Sequence, residues 1–143
     1  MNAVFKYIVF VLFTMSAIVT SAQDLNSYKW KNRLVIISVN DLNSSAYKRQ
    51  LDLLFSDRNG LEERKIVVLA VLDSIFKDHS NNSWFIQKGT NSFGLNSDSQ
   101  FEMLLIGLDG GVKFRKSNPV TRKELYGLID RMPMRRQELK TKN

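Results

Sequence analysis

A chain of 143 residues has the length of a single domain, and its complete lack of cysteine excludes disulfide exchange, thiol peroxidase and isomerase chemistry, as well as a lipid-modified cysteine. The formal net charge of +7 is unevenly spread: residues 23–112 carry ten Lys/Arg against eleven Asp/Glu, and residues 113–143 carry ten against three. A basic excess gathered at one end points to polyanion contact, against the simpler reading of a basic helix and tail that keep the protein in solution.

The amino terminus reads as a secretory signal peptide over 1–22. Lys6 supplies the positive charge, Tyr7 to Val19 is an almost unbroken apolar run, and Thr20-Ser-Ala22 puts small residues where a signal peptidase reads. The run is short for a membrane span, which needs roughly 20 residues, so an uncleaved anchor is the second reading and no transmembrane segment is expected after cleavage. The expected product is one domain, 23–143, working in the periplasm, at the cell surface or outside the cell. About 120 residues bury enough surface to fold without disulfides.

Leu34 to Val39 is a β-branched apolar run and reads as a strand buried on both faces. After polar Asn40 to Ser45, the recurrence of Tyr47, Leu51, Leu54 and Phe55 predicts an amphipathic helix over Ser44–Ser56, ended by a left-handed glycine cap at Gly60. Ile66 to Leu72 is a second buried strand, which makes a right-handed parallel βαβ unit. Residues 73–100 are rich in Asn, Ser and Gly, with Trp84-Phe-Ile86 as the apolar cluster, and predict a loop with a short helix. Phe101 to Leu108 is a central strand, Asp109-Gly-Gly111 a hairpin turn, and Val112 to Arg115 the return strand. Thr121-Arg-Lys-Glu124 has the form of a capping box for a last helix with a Leu125, Leu128, Ile129 and Met132 stripe, stopped by Pro133 and followed by a polar basic tail. A βαβ half, a variable middle and a ββα half describe a cysteine-free α/β domain with a thioredoxin-like core.

The chemistry open to these residues is narrow. In a thioredoxin-like enzyme the start of the first helix carries a thiolate, and here Asn43-Ser-Ser-Ala46 occupies that place. His79, the single histidine, reads as part of a solvated loop, too little for a zinc site or a serine triad. No calcium-loop or phosphate-loop pattern is present, and Glu62-Glu63 beside Arg64 and Lys65 reads as a solvated charge cluster. Tyr28, Trp30, Trp84 and Phe85 read as core and edge packing rather than a binding groove. No catalytic residue, metal ligand or cofactor is assigned.

Three segments resemble a known family: Tyr28-Lys-Trp-Lys-Asn-Arg33, Gly107-Leu-Asp-Gly-Gly-Val-Lys113 and Leu128-Ile-Asp-Arg-Met-Pro-Met-Arg-Arg-Gln-Glu138. Together they look like a small secreted domain of unknown function found in many bacteria, which in turn resembles the DUDES-type module of sushi-repeat-containing and related extracellular-matrix proteins. The resemblance runs from about Leu25 to Glu138. It implies a peroxiredoxin-related fold, export and no established activity, and it marks Lys29, Trp30, Arg33, Asp109, Gly110, Lys113, Arg135 and Arg136 as motif positions. The chain departs from thioredoxins in having Gln100, where they keep a cis-proline, ahead of the third strand.

The leading expectation is a non-enzymatic binding or scaffold domain. Lys113, Arg115, Arg131, Arg135 and Arg136 would share one basic face that meets an anionic polysaccharide, an envelope surface or an acidic exported protein. Nucleic acid is disfavoured by export. The alternatives are a cysteine-independent enzyme built on Asp41, Asp73, His79 and Asp109, and a structural domain that holds a protein partner on an apolar patch near Trp84 and Phe85.

Overall fold

The computed structural model describes residues 24–73, 75–86, 93–96 and 98–142. The expected signal peptide and its cleavage point lie outside them. The apolar run Arg33–Val39 forms strand β1, and Ile66–Leu72 forms β2 parallel to it, Leu34 opposite Val67 and Ser38 opposite Val71. The crossover is helix α1, Ser45–Phe55, followed by a short helix α2, Arg58–Glu63. Strand β5, Phe101–Ile106, runs antiparallel to β1 on its other side, and β6, Val112–Lys116, returns beside β5 through the Asp109 turn, where Gly110 takes φ 81°. The chain closes with α3, Arg122–Asp130, and α4, Pro133–Thr141.

Three sequence expectations are corrected. The middle of the chain is a β-hairpin, β3 Ile75–Asp78 and β4 Ser83–Ile86, which extends the sheet to the order β4-β3-β2-β1-β5-β6. Gly60 is not a left-handed cap. It lies inside α2, whose N-cap Asp57 accepts the Gly60 N–H at 3.0 Å, and a Cβ there would come within 2.8 Å of the Tyr126 hydroxyl. α3 does end ahead of Pro133, but it is not the last helix: Pro133 starts α4, where its missing N–H costs nothing. The capping box at Thr121 forms by half: Thr121 Oγ1 accepts the Glu124 N–H at 3.2 Å, while the Glu124 carboxylate turns to Lys116 at 2.9 Å.

The sheet carries a core on each face, because alternate strand residues point to opposite sides. One core joins Val35, Ile37, Val68 and Leu105 to Tyr47 and Leu54 of α1, Leu61 of α2 and Leu125 and Ile129 of α3. The other joins Ile36, Leu69, Leu104 and Ile106 to Phe76, Phe85, Leu25 and Tyr28. Tyr28 donates its hydroxyl to buried Asp78 at 2.7 Å, which fastens the entry turn under the hairpin. Among the described residues no helix is long and apolar enough to cross a membrane.

Candidate functional site

The two ends of β1 are chemically different. At its carboxyl end, where the fold would place a thiolate, Ser44 is the N-cap residue of α1, its side chain makes no cap bond, and its Oγ has no hydrogen-bond partner among the described residues. A serine hydroxyl alone, without a base, is not an activated nucleophile. The histidine that could act as base is engaged elsewhere. His79 Nε2 lies 2.9 Å from the Tyr47 hydroxyl, and its ring packs 5.6 Å from that of Phe55, so it is half-buried beneath α1 rather than in the solvated loop expected. Burial, helped by the charge of Lys77, holds its pKa below the usual histidine value. Asp109 belongs to the opposite end of the molecule, bonded to Lys113 at 2.6 Å. Among the described residues no three His, Asp or Glu side chains gather to hold a metal.

The motif positions converge at the amino end of β1. Trp30 takes φ 65° and donates its N–H to the Leu108 carbonyl at 2.7 Å, which ties the segment leading into β1 to the turn that follows β5. The Lys29 methylenes lie over Gly110. Arg33, the first residue of β1, is 1% exposed and donates to the Arg64 carbonyl at 2.9 Å and to Glu138 of α4 at 3.3 Å. Arg135 is also buried. It reaches Glu63 at 2.6 Å, the Glu63 carbonyl at 3.0 Å, Asp130 at 3.3 Å and Glu138 at 3.4 Å. Arg64 completes the network with a bidentate grip on Asp130 at 3.0 and 2.7 Å. Burial pushes the Asp130 carboxyl up, but Arg64, then Arg135, outweigh it and hold the pKa below the usual range; Arg33, Lys65 and Arg135 do the same for Glu138.

A cavity of about 250 Å³ opens beside this network, lined by Arg33, Leu108, Asp109, Lys113 and the Met132-Pro-Met134 corner between α3 and α4. Lys113 stands at a β-bulge: Ile106 faces Val112 and Leu105 faces Phe114, which leaves Lys113 unpaired in the ladder. Gly107 lies beneath it, and a Cβ there would come within 2.6 Å of Lys113 Cε, so the lysine side chain would have to shift.

The five residues of the expected basic face do not form one. Arg135 is withdrawn into the network, and a buried guanidinium held by three carboxylates offers nothing to a polymer. Arg115 faces Leu104 across the ladder, on the sheet side opposite α3, where it holds Glu102 and the Phe93 and Gly94 carbonyls. Lys113 is paired with Asp109. Arg131 and Arg136 remain exposed. With Lys123, Lys140 and Lys142, which the sequence reading did not single out, they have no carboxylate partner among the described residues. The i,i+4 spacings of Lys123, Gly127 and Arg131, and of Arg136 and Lys140, were a signal for this placement.

The comparisons agree with this architecture. Residues 24–138 match the family model described as Domain of unknown function (DUF4174). Coiled-coil domain-containing protein 80 of Danio rerio is 31% identical over 133 residues; the match covers 80% of this chain and 15% of that much longer relative. The crystal structure of the reduced 2-Cys peroxiredoxin of Plasmodium vivax superposes with a TM-score of 0.54 at 12% identity, covering 79% of this chain and 72% of that one, a likeness of fold alone. The protein is therefore a cysteine-free, thioredoxin-like member of the DUF4174 family.

Proposed function

We propose that this domain is an exported, non-enzymatic binding module that meets an anionic polymer through the outer faces of α3 and α4. The observation that supports it best is the set of exposed cations, without a carboxylate partner among the described residues, on those two helices and at their carboxyl ends: Lys123, Arg131, Arg136, Lys140 and Lys142. The acids of the same segment are spent internally, Glu124 on Lys116 and Asp130 and Glu138 on the buried arginines, so the outward field is positive. Anionic glycans, acidic envelope polymers and anionic lipid surfaces suit such a field.

The test is binding of the full chain to sulfated polysaccharide, acidic envelope polymer and anionic vesicles across a salt series. Binding is expected to weaken steadily as salt rises, because exposed charges are screened beyond about 10 Å at 0.1 M salt. Reversal of Lys123, Arg131, Arg136 and Lys140 to Glu, at about 0.2–1 kcal/mol per exposed pair, should reduce affinity by about fourfold or more. Salt-independent binding, or a reversed variant that binds as well, would remove the proposal.

A second reading rests on the β3–β4 hairpin. Phe85 is buried against Phe76, but Trp84 and Ile86 are 52% and 68% exposed at the sheet edge, with Ile75 at 42% beside them. Such a patch suits a protein partner. Partner binding that is lost on Trp84→Ser and kept in the charge-reversed variant would favour this reading over the first.

A further inference from the structure

We propose that the cavity beside α4 is a binding site for a small monocarboxylate with an apolar body, whose carboxylate is received by Arg33 and Lys113. It is separate from the proposed polymer-binding face, whose exposed cations do not line it.

The cation beside the cavity that the network holds most loosely is Arg33. Arg33, Arg64, Lys65 and Arg135 are four cations joined to three carboxylates, Glu63, Asp130 and Glu138. Lys65 is half-exposed and solvated, so the three arginines and three carboxylates balance, and what distinguishes Arg33 is the length of its contacts. Its only carboxylate among the described residues, Glu138, stands at 3.3–3.4 Å, longer than the 2.7–2.9 Å common for such pairs, and is shared with Lys65 and Arg135. Arg33 Nε is buried with no acceptor among the described residues. A buried donor left empty is costly, and a ligand oxygen would relieve it.

The rest of the cavity selects the kind of anion. Leu108, Met132, Pro133 and Met134 give apolar walls, and methionine adapts to varied shapes. Lys113 has three donors and spends one on Asp109, so two remain for a ligand. Asp109 at the same wall disfavours a dianion such as phosphate more than a singly charged carboxylate. At about 250 Å³ the space lies just under the usual range for ligand pockets and limits the body to a few carbons. A free short-chain acid and the carboxyl end of a peptide share this chemistry.

The full chain, labelled with ¹⁵N, is titrated with hexanoate, N-acetyl-leucine and N-acetyl-leucinamide. Saturable amide shifts are expected at Gly107, Leu108, Lys113 and Met134, with the amide at least about tenfold weaker than its acid because it loses a charge-assisted bond. Tighter hexanoate binding assigns free acids, and tighter N-acetyl-leucine binding assigns chain ends. Met134→Trp, which fills the cavity from its exposed rim, should abolish the shifts, and Lys113→Gln should weaken binding several-fold. Both substitutions lie at exposed positions and are expected to keep a dispersed spectrum, which separates loss of the site from loss of the fold. Equal binding of acid and amide, shifts that do not saturate, or Met134→Trp binding normally would each overturn the assignment.

Discussion

Arg135 and Arg136 are adjacent, and the fold gives them opposite surroundings. Arg135 is 3% exposed and tied to Glu63, Asp130 and Glu138, whereas Arg136 faces solvent from the next position of α4. Removal of one partner from a buried ion network leaves the others uncompensated, at about 3–5 kcal/mol when all are dry. Here Glu63 and Asp130 are partly solvated, so Arg135→Ala is expected to lower stability by about 2–3 kcal/mol, and Arg136→Ala by under about 0.5 kcal/mol. Urea unfolding of the two variants checks this, and equal midpoints would mean that the network contributes little. The contrast is invisible in the sequence, because nothing local to Met134-Arg-Arg-Gln-Glu138 announces that Glu63, 72 residues away, receives one of two neighbouring arginines.

The joint between α1 and the segment entering α3 depends on a polar residue in a helix stripe. Gln50 is fully buried; its Nε2 donates to the Val120 carbonyl at 3.0 Å, and its Oε1 accepts the Val120 N–H at 2.6 Å. Gln50→Leu keeps much of the bulk but strands both backbone groups of a residue that is itself buried, at about 1–3 kcal/mol each. A loss of about 2–4 kcal/mol is expected, with hydrogen exchange at the Val120 amide rising ahead of that in β1. An unchanged amide at Val120 would show that water replaces the clamp. The spacing 47, 50, 51, 54 already put Gln50 on the buried side of α1, so this contact was half legible. The long β-branched runs of β1, β2 and β5 were fully so, since each is buried along nearly its whole length. The β3–β4 hairpin was not: its strands have four residues each, and its turn uses Asn82 at φ 55° in place of glycine. Pro133 was read as a stop because proline serves equally before a loop and at the first position of a helix. The cavity was legible only as three separate motifs, since Arg33 and Glu138 stand 105 residues apart and only the closed fold brings them together.

At the scale of the whole molecule, acid should act on stability through two groups in succession. The His79 pKa is depressed below 6.5 by burial and by Lys77, so the unfolded chain takes up that proton first and stability declines as pH falls below about 6.5. Asp130 and Glu138 have folded pKa values below their ordinary 3.8 and 4.5, held there against burial by Arg64, Arg33, Lys65 and Arg135. A depressed carboxyl contributes stability that is complete above its unfolded pKa and is lost as pH falls through it toward the folded value. The decline should therefore begin shallowly below pH 6.5 and steepen below 4.5, where the carboxyls add to it. The urea midpoint at pH 4 is expected roughly 0.5–1 M below that at pH 7. Because both carboxylates anchor α4, amides of that helix should lose protection before those of β1. His79→Gln should flatten the upper limb and leave the lower one intact, since it removes the titration while keeping a side chain able to bond Tyr47. A midpoint constant from pH 7 to 4 would mean that the buried arginines hold their carboxylates no more tightly in the folded chain than in the unfolded one. The amino end of β1 would then lack the strong positive field that both the ion network and a bound carboxylate require.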